Sequence, residues 1–427
     1  MISLIKARSW ARVLKRSPLL FCFIIFLSAL FIRGAFQIAI LGIDRPLEGD
    51  EGIYYKRAVE ISSADFLGDS QRPPLLGALV SIVYIFTGEN VAVGRFVNIV
   101  ISSLASPLIY VLVLSLAQRD MFAKLASIVW TIYPPSVWYS GAFLTESLSS
   151  VLVLILAISL IKMARHCSWK STVFTGLSLG LLVLNRSIYI FVPVGVLICL
   201  IGSNFLENKF ERLRMWNVWI KYTCLILLTW LVLTPWIVHN LILLGHFVPH
   251  STQGGQVLMY SNGNLNHPDI QAGKYVKEDE IIERVTKLAQ LDEYKADSLK
   301  RSHAIDSIKS NWFLLPKPLV NRFKNFWTAR PDPYDNNWTV SDWIMTLIWV
   351  PTFTLFMVAL FKNPLKNTWP LLLIVGYASI TVLPFWGIPR FRFPVDSLVI
   401  VMATIGIIAL CSGTNSGVLQ REKEKNG

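Results

Sequence analysis

Long apolar stretches alternate with short polar ones along most of this chain. The apolar blocks fall at roughly residues 18–40, 96–117, 124–140, 144–162, 172–185, 187–203, 219–240, 342–361, 369–388 and 395–412. A helix needs about 20 apolar residues to cross a bilayer, and most of these blocks approach that length. The pattern predicts an all-α polytopic membrane protein with about ten transmembrane helices. One more block, 74–87, begins at Pro73-Pro74, ends at Thr87-Gly88, and is short and amphipathic at best. Whether it crosses sets the orientation of everything downstream.

Charge decides that point. If 74–87 stays on one side, the segments carrying Arg119/Lys124, Lys162/Arg165/Lys170, Lys209/Arg212/Arg214/Lys221, Lys362/Lys366 and Arg421/Lys423/Lys425 all face the cytoplasm. If it crosses, all of them face outward, against the positive-inside rule. The expectation is therefore a juxtamembrane or re-entrant helix at 74–87, with both termini cytoplasmic in the inner (plasma) membrane. Basic residues Lys6, Arg8, Arg12, Lys15 and Arg16 precede the first block. That block is too long for a signal-peptide core and is interrupted by Arg33, so it reads as a retained span.

Composition fits this picture. Of the 427 residues, 16% are charged, against about 25% in soluble domains. The net charge of +13 is what positive-inside loops produce. With no basic-aromatic stripe, nucleic acid is not an expected partner; the lipid bilayer is. Cys22, Cys199, Cys224 and Cys411 lie in apolar blocks and Cys167 in a basic loop, so neither a disulfide framework nor a metal spacing is implied.

Four regions follow from the pattern. Residues 1–240 form an N-terminal transmembrane module with a first outer loop at 41–95, acidic over 41–73. Residues 241–341 form a large polar outer loop. Residues 342–412 are C-terminal helices, and 413–427 a short basic tail. A structureless loop as long as 241–341 would be unusual, so helices are expected within it, notably along the run from Glu278 to Ser310.

The candidate chemistry collects at the outer ends of the spans. Asp50 and Tyr54, like Glu51 and Tyr55, are four apart and would share a face if helical. A partly shielded carboxylate there can act as a general base, bind a divalent cation, or simply be an acid at a helix N-terminus. Arg72, before Pro73-Pro74, suits a phosphate site or a snorkelling position. Glu146 follows the aromatic stretch Tyr133 to Tyr139 and opens a long apolar block. An acid there is either functional or a headgroup-level helix start. Arg186, Arg390 and Arg392 lie at outer ends of other spans. Two acids for a hydroxyl and several arginines for a phosphate make a chemically coherent set. Walker, HExxH and GxSxG motifs are absent. His246, His250, His267 and His303 lack metal-ligand spacing and read as surface residues.

In their order, these stretches resemble the GT-C glycosyltransferases of the aminoarabinose lipid A transferase and protein O-mannosyltransferase type. The matching stretches are Gly49-Asp50-Glu51 with Tyr54-Tyr55, Arg72-Pro73-Pro74-Leu75, Gly88-Glu89-Asn90 leading to Arg95, Tyr133-Pro134-Pro135 with Thr145-Glu146, and Asn185-Arg186. Beyond them come Leu233-Thr234-Pro235-Trp236 with Asn240, Gly245-His246-Phe247-Val248-Pro249, and Arg390-Phe391-Arg392-Phe393-Pro394. No one motif is specific; the shared order over roughly 20–410 is.

The resemblance implies a GT-C fold and an outward-facing active site under the first outer loop. It implies a polyprenyl-phosphate-linked sugar donor, a glycan, lipid or protein acceptor, and inversion at the anomeric carbon. Asp50 would be the base, with Glu51 and Glu146 as further catalytic acids. Arg72, Arg186, Arg390 and Arg392 would bind the donor phosphate, and Tyr54, Tyr55 and Tyr139 the substrate. Arg72 stands where the aminoarabinose enzymes carry Lys, which keeps the charge but changes the geometry. No cofactor is required by this reading. Larger members carry a soluble C-terminal domain where this sequence has the short tail, which leaves acceptor recognition to 241–341 or a partner. The competing readings are a lipid-linked-glycan flippase or transporter, and an envelope polysaccharide polymerase or ligase using a pyrophosphate donor. The lack of an internal repeat and the clustering of acids at one surface count against the transporter.

Overall fold

The computed structural model describes residues 18–64, 69–166, 168–206, 216–277, 292–335, 337–362 and 368–425. The basic N-terminal residues, Cys167, Lys209, Arg212, Arg214, Lys366 and the part of the outer-loop run from Glu278 to residue 291 lie outside them. The described residues contain helices and no strand.

α1 (Pro18–Phe36) runs on into a π-helical turn at Gln37–Leu41. The acidic loop leads to α2 (Glu51–Ser62), then α3 (Leu75–Thr87) and α4 (Val91–Ser103), which bends at Leu104 into α5 (Ala105–Ala117). α6 (Asp120–Ile132) and the short α7 (Pro134–Trp138) precede α8 (Glu146–His166). α9 (Trp169–Asn185), α10 (Val192–Leu206) and α11 (Trp216–Leu244) complete the N-terminal part. The segment after α11, expected from the sequence to be the outer segment, holds α12 (Gly254–Asn262), α13 (Pro268–Gln271), α14 (Glu293–Ser310) and α15 (Pro316–Trp327). α16 (Val340–Lys362), α17 (Trp369–Thr381) and α18 (Pro389–Lys425) follow.

The chain is a multi-pass membrane protein. Among the described residues, six stretches are long and apolar enough to cross: Pro18–Leu41, Val91–Ala117, Glu146–Arg165, Trp216–Leu244, Val340–Lys362 and Pro389–Cys411. The other four expected crossings fall on shorter helices, namely α6, α9, α10 and α17. The block at 124–140 is split because Pro134 drives Tyr133 into an extended conformation (ψ 120°), which ends α6. The 74–87 block is the 13-residue α3. At about 1.5 Å per residue it spans roughly 20 Å, less than the roughly 30 Å of hydrocarbon.

α8 and α18 run through the middle of the bundle, mostly buried, while α1, α11 and α16 expose most of their apolar surface. Helices apolar on all sides belong in such positions. Glu146 is the first residue of α8 and Arg390 the second of α18, so both central helices begin with a charge at the same end. α9 and α11 approach closely at Gly176 and Gly180, where a Cβ would meet Leu225 and Val232, the small-residue contact common between membrane helices. No disulfide joins the described cysteines.

Candidate active site

The loop that follows α1 is shaped by a buried arginine. Arg95 on α4 is fully buried and donates through Nη1 to the carbonyls of Ile43 (2.9 Å) and Arg45 (2.6 Å), and through Nη2 to Pro46 (3.2 Å). Gly49 then turns at φ 55°, a left-handed conformation that costs glycine nothing. The turn sets Asp50 at the mouth of α2.

From there Asp50 and Glu51 part company. Glu51 is buried; its Oε2 accepts from Arg95 Nη2 at 3.0 Å and from the Glu48 N–H at 3.2 Å, and its Oε1 accepts the Phe143 N–H at 2.7 Å. Its partners are Arg95 and two backbone N–H groups, so Glu51, expected among the catalytic acids, is placed joining the loop to the 139–146 turn. Asp50 faces the other way. Its Oδ1 accepts from Arg72 Nη2 at 2.9 Å and its Oδ2 from Arg390 Nη2 at 3.1 Å.

The same Arg390 donates through Nε to Glu146 Oε1 at 2.7 Å. Glu146 Oε2 is buried and makes no hydrogen bond among the described residues. Its backbone is fixed by amides. Asn98 Nδ2 donates to the carbonyls of Ala142 and Leu144, and Asn185 Nδ2 to the carbonyl of Thr145 (3.2 Å) and to Ser149 Oγ (2.8 Å). The result is a continuous chain, Arg72–Asp50–Arg390–Glu146, drawn from four parts of the sequence.

Arg72 is held from two sides. Arg57 on α2 binds Asp69 Oδ1 at 2.8 Å, and Ser70 bonds through its N–H to Glu293 Oε2 (3.3 Å) and through its carbonyl to the Thr252 N–H (3.1 Å). The arm carrying Arg72 is thus pinned to α2 and to the outer segment. The Arg72 guanidinium lies 5.6 Å from the Tyr54 ring, with Nε buried and making no hydrogen bond among the described residues. Arg186, at the end of α9, lies 5.6 Å from the Phe391 ring, and Arg390 lies 6.0 Å from the same ring. Arg186 Nη1 is also buried without a hydrogen bond among the described residues. Three guanidiniums against two carboxylates leave a positive excess with unspent N–H groups, suited to an anion.

Three other candidates remain. Tyr139 packs 5.0 Å from Phe393, beside Glu146. Tyr55 sits edge-on to Tyr84 and Phe143, a packing position. Arg392, grouped from sequence with the phosphate ligands, is placed elsewhere: it is buried, pairs with Asp396, and donates to the Phe326 and Thr328 carbonyls. Two residues on from Arg390, it points to the opposite side of the helix. Arg95, Asp396 and Glu293 were not singled out as site residues from sequence. Arg95 was visible as the end of a matching stretch, and Asp396 as an acid inside an apolar block four residues after Arg392.

The electrostatics of Asp50 reflect its two partners. Burial raises its pKa, but the adjacent Arg72 and Arg390 guanidiniums outweigh that and hold it below the ordinary carboxylate value.

Residues 71–239 match the family model described as dolichyl-phosphate-mannose-protein mannosyltransferase. That stretch carries Arg72, Glu146 and Arg186; Asp50 and Arg390 lie outside it. In fold, the chain is similar over 97% of its length to the archaeal oligosaccharyltransferase AglB from Archaeoglobus fulgidus, solved with an inhibitory peptide and a dolichol-phosphate, at 14% identity and a TM-score of 0.52. It spans about half of that enzyme, 52%. ArnT from Cupriavidus metallidurans matches in its apo state (13% identity) and bound to undecaprenyl phosphate (12%), each over 94% of this chain and 78% of that one, with a TM-score of 0.40. No protein of curated function matches the chain in sequence. The fold is of the GT-C type over nearly the whole chain, while the family model covers residues 71–239.

Proposed function

We propose that the chain is an integral membrane glycosyltransferase that moves a sugar from a polyprenyl-phosphate donor to an acceptor hydroxyl at the extracytoplasmic face, with inversion. One observation carries the reading: Arg390 joins Asp50 to Glu146 while Arg72 holds the other oxygen of Asp50. Lipid-phosphate partners of the AglB and ArnT structures suit the same guanidinium-rich site. The site then lies at the outer headgroup level of the plasma membrane, with both termini cytoplasmic as the basic loops require.

In the reaction, the donor phosphate competes for the guanidiniums that hold Asp50. Arg72 and Arg186 have unspent N–H groups for it. Released from one partner, Asp50 takes the acceptor hydroxyl proton as the acceptor oxygen forms its bond to the anomeric carbon. The bond from that carbon to the phosphate oxygen breaks, and its electron pair leaves with the lipid phosphate. The arginines stabilise the growing phosphate charge. Glu146 keeps Arg390 in register and supplies a second acceptor, Oε2, beside the reacting groups.

The test is purified protein with labelled polyprenyl-phosphate sugar and an envelope-extract acceptor. Release of free polyprenyl phosphate with label on the acceptor is expected. Asp50→Asn should lower turnover by roughly 10²–10⁴-fold, the usual contribution of a general base, while donor binding persists. Movement of intact sugar-lipid without cleavage, or near-normal turnover by the variant, overturns the proposal.

A further inference from the structure

Two residues on from Arg390, a second buried ion pair faces away from the site. Arg392 and Asp396 are one turn apart on α18, with side chains only 1% and 2% exposed, and pair at 2.8 Å. The other oxygen of Asp396 accepts the Tyr133 hydroxyl at 2.9 Å. Charges buried inside a membrane bundle persist only when paired and hydrogen-bonded, and both carboxylate oxygens here are satisfied.

The rest of Arg392 reaches the outer segment. Its Nη1 donates to the carbonyls of Phe326 (2.8 Å) and Thr328 (2.7 Å), and its guanidinium lies 3.5 Å from the centre of the Trp349 ring. Trp349 Nε1 donates to the Trp327 carbonyl between them at 3.1 Å. Carbonyls at a helix C-terminus lack partners within the helix and favour a cation, so these contacts cap α15. A separate set of contacts binds α15 to the run before α18. Arg322 donates to the Leu383 carbonyl at 2.8 Å, and the backbone of Gly387 packs against the Arg322 carbonyl so closely that a Cβ would collide.

Residues two apart on a helix point about 200° from one another. The first turn of α18 therefore extends Arg390 toward Asp50 and Glu146, and Arg392 toward α15. Between them Phe393 stacks on Trp130 at 5.6 Å and touches Tyr139 at 5.0 Å.

We infer that Arg392 and Asp396 are positioning residues: with Tyr133 they clamp the first turn of α18 to the end of α15, so that the outer segment sets where Arg390 stands between Asp50 and Glu146. For its effect on rate the inference rests on the glycosyltransferase reading; for the clamp itself it does not.

A double-mutant cycle separates this role from simple stabilisation, because residues that act through one another give non-additive effects. Asp396→Asn should lower kcat about 10- to 100-fold, and by less than about twofold when Arg390 is already Gln. Tyr133→Phe keeps the ring and removes one hydrogen bond, so it should fold where Asp396→Asn does not, and it should show the same dependence on Arg390. Effects that multiply, or wild-type kcat in both variants, overturn the inference. Hydrogen exchange of the full-length protein reads the clamp without any activity. Tyr133→Phe should raise exchange both at 316–330 and in the loop around Asp50. A rise confined to α18 overturns the clamp, whereas coupled exchange in a protein that never cleaves donor overturns only the glycosyltransferase reading.

Discussion

At the scale of single residues, Asp50 sits under opposing influences, burial on one side and two guanidiniums on the other, and the guanidiniums prevail. Its folded pKa lies below the unfolded one. The pairing therefore contributes stability above the ordinary carboxylate value, near 3.9, and loses it as pH falls through the depressed folded value. The carboxylate stays ionised further into acid for the same reason. Arg72→Gln removes one of the two cations, so the acid limb of the rate–pH profile should move upward. Donor binding should weaken roughly 10- to 100-fold, as the loss of a charged hydrogen bond implies. An unmoved acid limb would show that Arg72 does not govern Asp50. Arg72, Glu146 and Arg390 were legible in the sequence as charges at the edges of apolar blocks, and Asp50 as an acid in the loop after the first block. Glu51 and Arg392 read identically by those criteria. What separates them is rotation about a helix, about 100° per residue, and no pattern of residue types in one sequence tells which side the cluster occupies.

At the scale of helices, the sequence showed where apolar segments lie better than how they are cut. Tyr133-Pro134 was visible as a motif, yet the break it imposes, which ends α6 and starts α7, was read through as one block. The break puts the Tyr133 hydroxyl on Asp396. The outer segment was expected to contain helices, and it does, but its grip on α18 depends on backbone carbonyls that carry no sequence signal. Gly387 marks that grip. Gly387→Ala would drive a methyl group into the Arg322 carbonyl oxygen, and overpacking of this kind costs about 1–3 kcal/mol. The expected outcome is a lower thermal midpoint in detergent together with reduced turnover. A variant with unchanged midpoint and rate would mean that α15 and the run before α18 can separate without consequence.

Over the whole molecule, the site is made where two central helices begin, under a loop anchored by Arg95 and an arm anchored by the outer segment. Such convergence follows from the packing of α8 and α18 and could not be read from either stretch alone. It also bears on metals. A divalent cation at the acidic pair would have to displace guanidiniums from both oxygens of Asp50, and in the proposed reaction those guanidiniums supply the charge the phosphate needs. Chelation with EDTA should leave turnover within about twofold; a loss restored by magnesium or manganese would reassign the acids as metal ligands. The bond from Arg390 to Asp50 joins residues 340 apart. A ribosome has therefore added 340 residues after Asp50 before the two carboxylates gain their shared cation, and a nascent chain that stops short of Arg390 carries both acids but cannot yet complete the site.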